Sequence, residues 1–370
     1  MTKTIVIGLD IRDLRIAKTG QRTYLEEIYK EFQKEHPGFK FHFFDTSIRV
    51  YTGRNKFYKL IEQFRFILWK QLILPLKAAL HGCDIVFCTD YFVPLINLNF
   101  KTIPVFHDAF FWEYPAHYNK YWLMTFRSLG VPAAKRAAFI TTPTQYAKNT
   151  VLSYLKIPAD RIIPIPEAPK TLTHKKDLSS GNLNIKTSRY LLHIGVFEKR
   201  KNLALLIEAF HLLRSAGYHD YTLILGGQFS PKNDMDAGLE IIETIRKYQL
   251  QDYVIMPGYI PDNDLAWYYQ NAELYVLPSL NEGFGLPVLE AFQHNVPVIV
   301  SNNTCLPEVG GDAVLQFDPY NPNDLYHKMK MVIDNPQLKS EMIEKGKIRL
   351  QEFSWERTAA ELLALFKKVK

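Results

Sequence analysis

Short apolar runs alternate with amphipathic stretches along nearly the whole chain, and the alternation starts twice. KTIVIGL (3–9), FKFHFF (39–44), DIVFC (84–88), TIPVFH (102–107) and AFITTP (138–143) have the length and character of buried strands. Between them, 20–35, 56–80 and 119–137 repeat apolar residues at helical spacing. Strands that alternate with helices pair in parallel, and the helices cover both faces of the sheet. The second half repeats the pattern. YLLHIG (190–195) leads to a helix over 202–216, and YTLILGG (221–227) to one over 236–249. VIMPG (254–258) leads to 262–271, LYVLP (274–278) to a helix beginning near 286, and PVIVS (297–301) returns to the sheet. Residues 168–188 lose the periodicity and fill with Lys, Ser, Thr, Asn and Pro, as a linker does. The pattern predicts an α/β chain of two doubly wound domains, with a ligand cleft between the carboxyl ends of two sheets.

A chain of 370 residues can bury two cores, and 47% hydrophobic with 22% charged residues is an ordinary globular balance. MTKTIVIGLD begins with a buried strand and lacks the pattern of a secretory signal. No apolar run approaches the ~18 residues that a spanning helix needs. Cys83, Cys88 and Cys305 are too few and too scattered for a disulfide framework, which fits a reducing cytoplasm. The net charge of +7 suits an anionic partner: nucleic acid, a membrane surface or nucleotide phosphates. Its basic residues are dispersed and no nucleic-acid module is present, which argues against the first.

The residues richest in chemistry lie at 277–291, LPSLNEGFGLPVLEA. A strand ends at Pro278, Glu282-Gly283-Phe284-Gly285 makes a tight loop, and Pro287 falls in the first turn of a helix, where proline is tolerated. The glycines let the backbone approach a ligand, and the N–H groups at the helix start suit an anion. Glu282 on the loop and Glu290 about one turn into the helix could accept bonds from sugar hydroxyls around a phosphate site. The same residues also fit a plain strand–turn–helix junction whose glutamates complement the helix dipole.

The wider context favours the first reading. Residues 277–291 resemble the Glu-x7-Glu signature of retaining GT-B glycosyltransferases of the family 4 type, the group 1 glycosyltransferases that include bacterial α-mannosyl- and rhamnosyltransferases. The resemblance continues through HIGVFEKRKNLALLIEAF (193–210), LILGG (223–227), PGYIPDNDLAWYYQNAELYVLPS (257–279) and PVIVSNNTCLPEVGGDAV (297–314). It implies two Rossmann-like domains facing a central cleft. Domain 1–168 would take the acceptor and domain 189–353 the nucleotide sugar, with a last helix, 354–370, capped by Ser354 and packing back on the first domain.

The resemblance also implies roles. Arg200 and Lys201 would neutralise the donor diphosphate in place of a metal, and no cofactor is expected. Taken alone, EKRKN reads as a solvated basic loop. Glu282 would hold the transferred sugar, with Gly283, Phe284, Gly285 and Leu286 near sugar and phosphates. Glu290 would hold the ribose hydroxyls, and Tyr259 and Ile260 the base. Val196 stands where many relatives carry a further basic residue. In the first half, GLDIRDLRIAKTGQRTYLEEI (8–28) resembles the opening strand, flexible loop and helix of the group. There Gly20 would lie near the phosphates, although Gln21 and Arg22 follow where relatives often have a second glycine. HDAFFWEYP (107–115) implies that His107 lines the sugar and acceptor side, whereas the residue alone reads as a satisfied strand-end histidine. Asp108 caps or orients.

The implied activity is retaining transfer of a hexose, mannose first, in cell-surface polysaccharide synthesis. The donor would be GDP-mannose, dTDP-rhamnose or a UDP-hexose, and the acceptor a glycan or a lipid-linked glycan. Two alternatives keep the fold. A sugar-nucleotide epimerase would need residues to eliminate and re-add the nucleotide, and none stands out. A non-catalytic scaffold need not keep Arg200, Lys201, Glu282 and Glu290, all of which are present. The stretch 54–80 mixes Arg54, Lys56, Lys59, Arg65, Lys70 and Lys77 with Phe57, Tyr58, Phe64, Phe66 and Trp69. It fits either docking on the inner face of an anionic membrane or an ordinary surface helix with a buried apolar face.

Overall fold

Val-, Ile-, Leu- and Phe-rich runs become parallel strands throughout the computed structural model, which describes residues 4–17, 19–53, 55–170, 189–229 and 236–369. The polar linker lies outside the described residues from 171 onward. The chain divides into two units, Met1–Ala168 with Ser354–Lys370, and Pro169–Phe353.

In the first unit, β1 (Ile5–Asp10), β2 (Phe39–Phe44), β3 (Ile85–Cys88) and β4 (Lys101–Pro104) form a parallel sheet in the order β2-β1-β3-β4. A bridge between Val105 and Thr141 carries it on to the pair β5 (Ile140–Thr142) and β6 (Ile162–Pro164). β3 is buried at every position, as a strand covered on both faces must be. One cover is the helix Trp355–Lys368, capped by Ser354 accepting from the Arg357 N–H. It packs Trp355 on Tyr24 and Phe366 on Phe32 and Phe87.

Two helices that the periodicity shows as continuous are interrupted. The stretch 56–80 is the α-helix Lys56–Leu68, a π turn Trp69–Ile73 and the α-helix Leu74–Leu80. Residues 120–136 repeat the arrangement, with a π turn at Phe126–Gly130. Each π turn precedes a proline, Pro75 or Pro132, at the second position of the following segment. Proline has no N–H and its ring collides with the carbonyl four residues back; widening one turn relieves both without ending the helix.

The second unit contains β7 (Arg189–Ile194), β8 (Tyr221–Gly226), β9 (Val254–Gly258), β10 (Leu274–Leu277), β11 (Val298–Ser301) and β12 (Val314–Phe317). Their order is β12-β11-β10-β7-β8-β9, the doubly wound dinucleotide-type order, which reverses between β7 and β10. Its core runs from Leu206 and Phe210 of the helix Leu203–Ser215 through Leu223 and Val276 to Met329 of the helix Pro322–Asp334. That helix, β12 and the helix Pro336–Leu350 follow the last predicted strand. No helix among the described residues is long and apolar enough to cross a membrane.

Candidate functional site

In an open parallel sheet, ligands bind beyond the carboxyl ends of the strands where the order reverses. In the second unit that point lies beyond β7 and β10. β7 runs out into Gly195, whose N–H donates to the Gly226 carbonyl at 2.9 Å. A side chain at Gly227 would collide with the Gly195 oxygen, so glycine keeps this corner narrow.

The chain then makes a 3-10 turn at Lys199–Lys201. Asn202 ends it in the left-handed region at φ 56°, which asparagine tolerates better than most residues. The turn sends Arg200 and Lys201 to the loop after β10. Arg200 Nη1 bonds Glu282 Oε2 at 3.0 Å and the Asn281 carbonyl at 3.1 Å, while its Nε pairs with Glu198 at 2.7 Å. Lys201 Nζ pairs with Glu282 Oε1, which also accepts from Ser279 Oγ at 2.7 Å. Burial alone would raise the Glu282 carboxyl, but Lys201 and Arg200 hold it down at about 2. Burial lowers Lys201, with Glu282 opposing the shift.

Behind the pair, buried His193 places Nδ1 3.0 Å from the Val276 carbonyl. Carbonyls only accept, so Nδ1 carries the proton and Nε2 is an acceptor, one without a hydrogen-bond partner among the described residues. Burial holds His193 neutral, down to about 4. Cys305 Sγ lies 3.2 Å from the carbonyls of both Glu282 and Phe284 and pins the loop from below. Gly285, at φ 97°, starts the helix Leu286–Gln293, and no side chain caps that helix. In its first turn Pro287 has no N–H and the Val288 N–H donates to the Gly285 carbonyl at 2.9 Å, so what the turn presents to an anion is the Leu286 N–H and the positive end of the helix dipole.

Three of the residues expected at a donor site are thus in direct contact: Arg200, Lys201 and Glu282. Gly283, Phe284, Gly285 and Leu286 share their loop. Glu290 lies on the helix that this loop starts, but its carboxylate accepts from Tyr269 Oη at 2.9 Å and makes no bond to Glu282. Burial raises Glu290. Ile260 is buried, whereas Tyr259 is 63% exposed. His193, Ser279, Tyr269 and Cys305 were not singled out from the sequence; the partners of His193, Tyr269 and Cys305 lie more than twenty residues away, whereas Ser279 bonds Glu282 within its own loop.

Residues 175–349 match the family model described as glycosyl transferases group 1. Over 279 residues, 72% of this chain, it is 28% identical to O-antigen chain mannosyltransferase B of Escherichia coli, of which it covers 70%. It is also 28% identical to the serotype-specific mannosyltransferase WbdA of Escherichia coli over 75% of this chain, yet it spans only 36% of that longer relative. Among solved structures, sucrose-phosphate synthase from Thermosynechococcus elongatus aligns with a TM-score of 0.74 at 19% identity, covering 99% of both chains. The match to the group 1 glycosyl transferases covers nearly all of the second unit. The fold of the chain is GT-B, with two Rossmann-like units.

In the first unit, His107 follows β4. Its Nδ1 lies 2.8 Å from Glu167 Oε1 and its Nε2 2.9 Å from the Thr89 carbonyl. Both partners accept, so the arrangement suits a ring protonated on both nitrogens. Burial alone would lower His107, but Glu167 and the Thr89 carbonyl override it and raise the ring above its ordinary value. Glu167, in the IPEAP run after β6, carried no sequence signal. Asp108 accepts from the Phe110 N–H and from Tyr91 Oη, which orients the turn after His107. Gly20 is not on a loop: it is the second residue of the helix Thr19–Phe32, and Arg22 pairs with Glu26 along that helix.

A second buried set lies where the first sheet reverses, beyond β1 and β3. Lys70, on the π turn, pairs with Asp10 at 2.7 Å and Asp90 at 2.6 Å, while Trp69 Nε1 donates to Asp10. Arg12 pairs with Asp13 and Glu62. The inner face of the 56–80 segment is thereby bonded to the ends of β1 and β3.

Proposed function

We propose that this chain is a glycosyltransferase that moves a hexose, mannose first, from a nucleotide diphosphate sugar to a glycan or lipid-linked acceptor. It would do so with retention and without a metal, in cell-surface polysaccharide synthesis at the cytoplasmic face of the membrane. The observation that carries the reading is the Arg200–Lys201–Glu282 cluster beyond β7 and β10, beside the uncapped start of the helix Leu286–Gln293. Two fixed cations and a helix N-terminus suit a diphosphate and the charge that grows on it as it leaves. GDP-mannose is the first donor in view of the mannosyltransferases that the chain resembles, followed by dTDP-rhamnose and UDP-hexoses.

The bond from the anomeric carbon to the donor phosphate oxygen breaks, and the bond to the acceptor oxygen forms on the same face. The acceptor proton passes to the departing phosphate. Glu282 keeps both cations aligned and presents a carboxylate edge to the sugar, Glu290 takes the ribose, and Tyr259 and Ile260 flank the base. His107, paired with Glu167, serves the sugar and acceptor side. A covalent sugar adduct trapped on any side chain would overturn this mechanism.

The test is a thermal-shift panel of GDP-, UDP- and dTDP-sugars in EDTA, on the wild type and on Glu290→Ala. A ligand at a hundred times its dissociation constant adds roughly 2.7 kcal/mol. One nucleotide class should raise the wild-type midpoint without metal and fail on the variant; no response from any class would sink the donor assignment.

A further inference from the structure

The segment 56–80 has two apolar faces. Phe66, Trp69, Leu74 and Ala78 are buried, and Lys70 and Glu62 bond inward. On the opposite side Phe57 (66% exposed), Leu60, Phe64 (65%), Leu68, Leu72 and Leu76 stand in water at steps of three or four residues. Along an unbroken α-helix, steps of four would wind round the axis by about 40° each. The π turn at Trp69–Ile73 takes back part of that winding, and the side chains on either side of it form one stripe. The neighbouring helix Lys120–Thr125, held against it by Trp122 on Phe66 at 5.2 Å, adds exposed Tyr121 and Met124.

Lys and Arg are spread along the chain, but their excess over acids is not. Residues 48–136 hold twelve Lys and Arg against five Asp and Glu, and that excess of seven equals the +7 of the whole chain. The remaining residues balance at 33 of each sign. Of the five acids, Asp90 is buried against Lys70, and Glu62 bonds Arg12 and Arg65; of the bases, Lys70 is buried against Asp10 and Asp90, Arg65 is paired with Glu62, and Lys77 donates to the Asp45 carbonyl. Lys59, Lys120 and Arg127 are exposed.

We propose that this face docks on an anionic lipid bilayer, with the stripe Phe57–Leu76 at the acyl boundary and the basic residues among the headgroups. A second copy of the chain would bring one positive face against another, whereas a bilayer rich in acidic headgroups complements both the charge and the apolar stripe. The proposal deepens the membrane contact of the proposed function, rests on that part of it alone, and does not need the reaction.

The experiment is co-sedimentation of the full chain with phosphatidylcholine vesicles, with and without phosphatidylglycerol. It compares the wild type, the triple variant Phe64→Ser/Leu68→Ser/Leu72→Ser, and Lys59→Glu/Lys120→Glu. The wild type should bind only the phosphatidylglycerol vesicles and come off at high salt. Each variant should bind about tenfold or more weakly, with an unchanged melting midpoint, since the altered side chains are exposed. Equal binding by the triple variant, or equal binding of the wild type to both vesicles, overturns the proposal. So does a wild-type dimer that the triple variant breaks while vesicle binding persists. If vesicle binding behaves as expected but no nucleotide sugar shifts the midpoint, the donor reading fails and the docking surface stands.

Discussion

Burial pushes Lys201 down, and Glu282, which faces it, opposes that shift. Removing one partner of a buried pair strands the other, at about 3–5 kcal/mol. Glu282→Gln is therefore expected to lower the urea-unfolding stability by about that much, while Glu198→Gln, which leaves Arg200 its bond to Glu282, costs far less. Acid should act on the same spot. His193 is held at about 4 in the fold against an ordinary 6.5, so the unfolded chain takes the proton first. Stability should fall as pH drops from 6.5 towards 4, by roughly 3 kcal/mol at the limit. Lys201 and Glu282 are the charged groups facing the ring, and Glu282, held at about 2, stays ionised through that window. His107 has the opposite sign: its raised value gives a contribution that is full below 6.5 and is lost as pH rises through the folded value. Urea midpoints across pH 4–8 for the wild type, His193→Gln and Glu167→Gln should separate the two. His193→Gln flattens the acid side and Glu167→Gln the alkaline side.

At the scale of elements, the loop Glu282–Gly285 works because one residue adopts a conformation that side chains resist. Gly285 sits at φ 97°, and a Cβ there would lie 2.8 Å from Leu306 Cδ2. Gly285→Ala should cost about 1–2 kcal/mol from the backbone alone and should also abolish the nucleotide-sugar thermal shift. Gly217, at φ 100° with nothing within 4 Å of its Cβ, isolates the backbone cost. Gly217→Ala should lower stability and leave the shift intact. This loop was legible from the sequence because its chemistry is contiguous: strand, glycine loop and proline-marked helix follow one another, and Arg200-Lys201-Asn202 likewise follows β7. Glu167 and Cys305 were not legible, since each acts on a residue more than twenty positions away and no local pattern marks it. The π turns fell between these cases. Apolar spacing merged 56–80 into one helix, and only Pro75 marked the place where it widens. The basic and aromatic residues of 54–80 allowed either a buried face or a docking face; only the packing shows both, with Phe66 and Trp69 inside and Phe57 and Phe64 outside.

At the scale of the molecule, the two doubly wound sheets follow from strand–helix alternation, but the assignment of 354–370 to the first unit rested on resemblance rather than on any pattern. Leu362, Leu365 and Phe366 are almost fully buried in that unit. At about 1.5–3 kcal/mol for each such side chain, removing them approaches the whole stability of a domain, roughly 5–15 kcal/mol. A chain ending at Phe353 should therefore lose the protected amides of β1 and β3 in hydrogen exchange. The same discontinuity sets an order on biosynthesis. A ribosome makes the first 168 residues and then all of Pro169–Phe353 before it reaches Phe366, the ring that Phe32 and Phe87 pack against. The unit begun first is finished last, and a nascent chain paused within the second unit presents an open apolar seam to whatever chaperone or aggregate meets it.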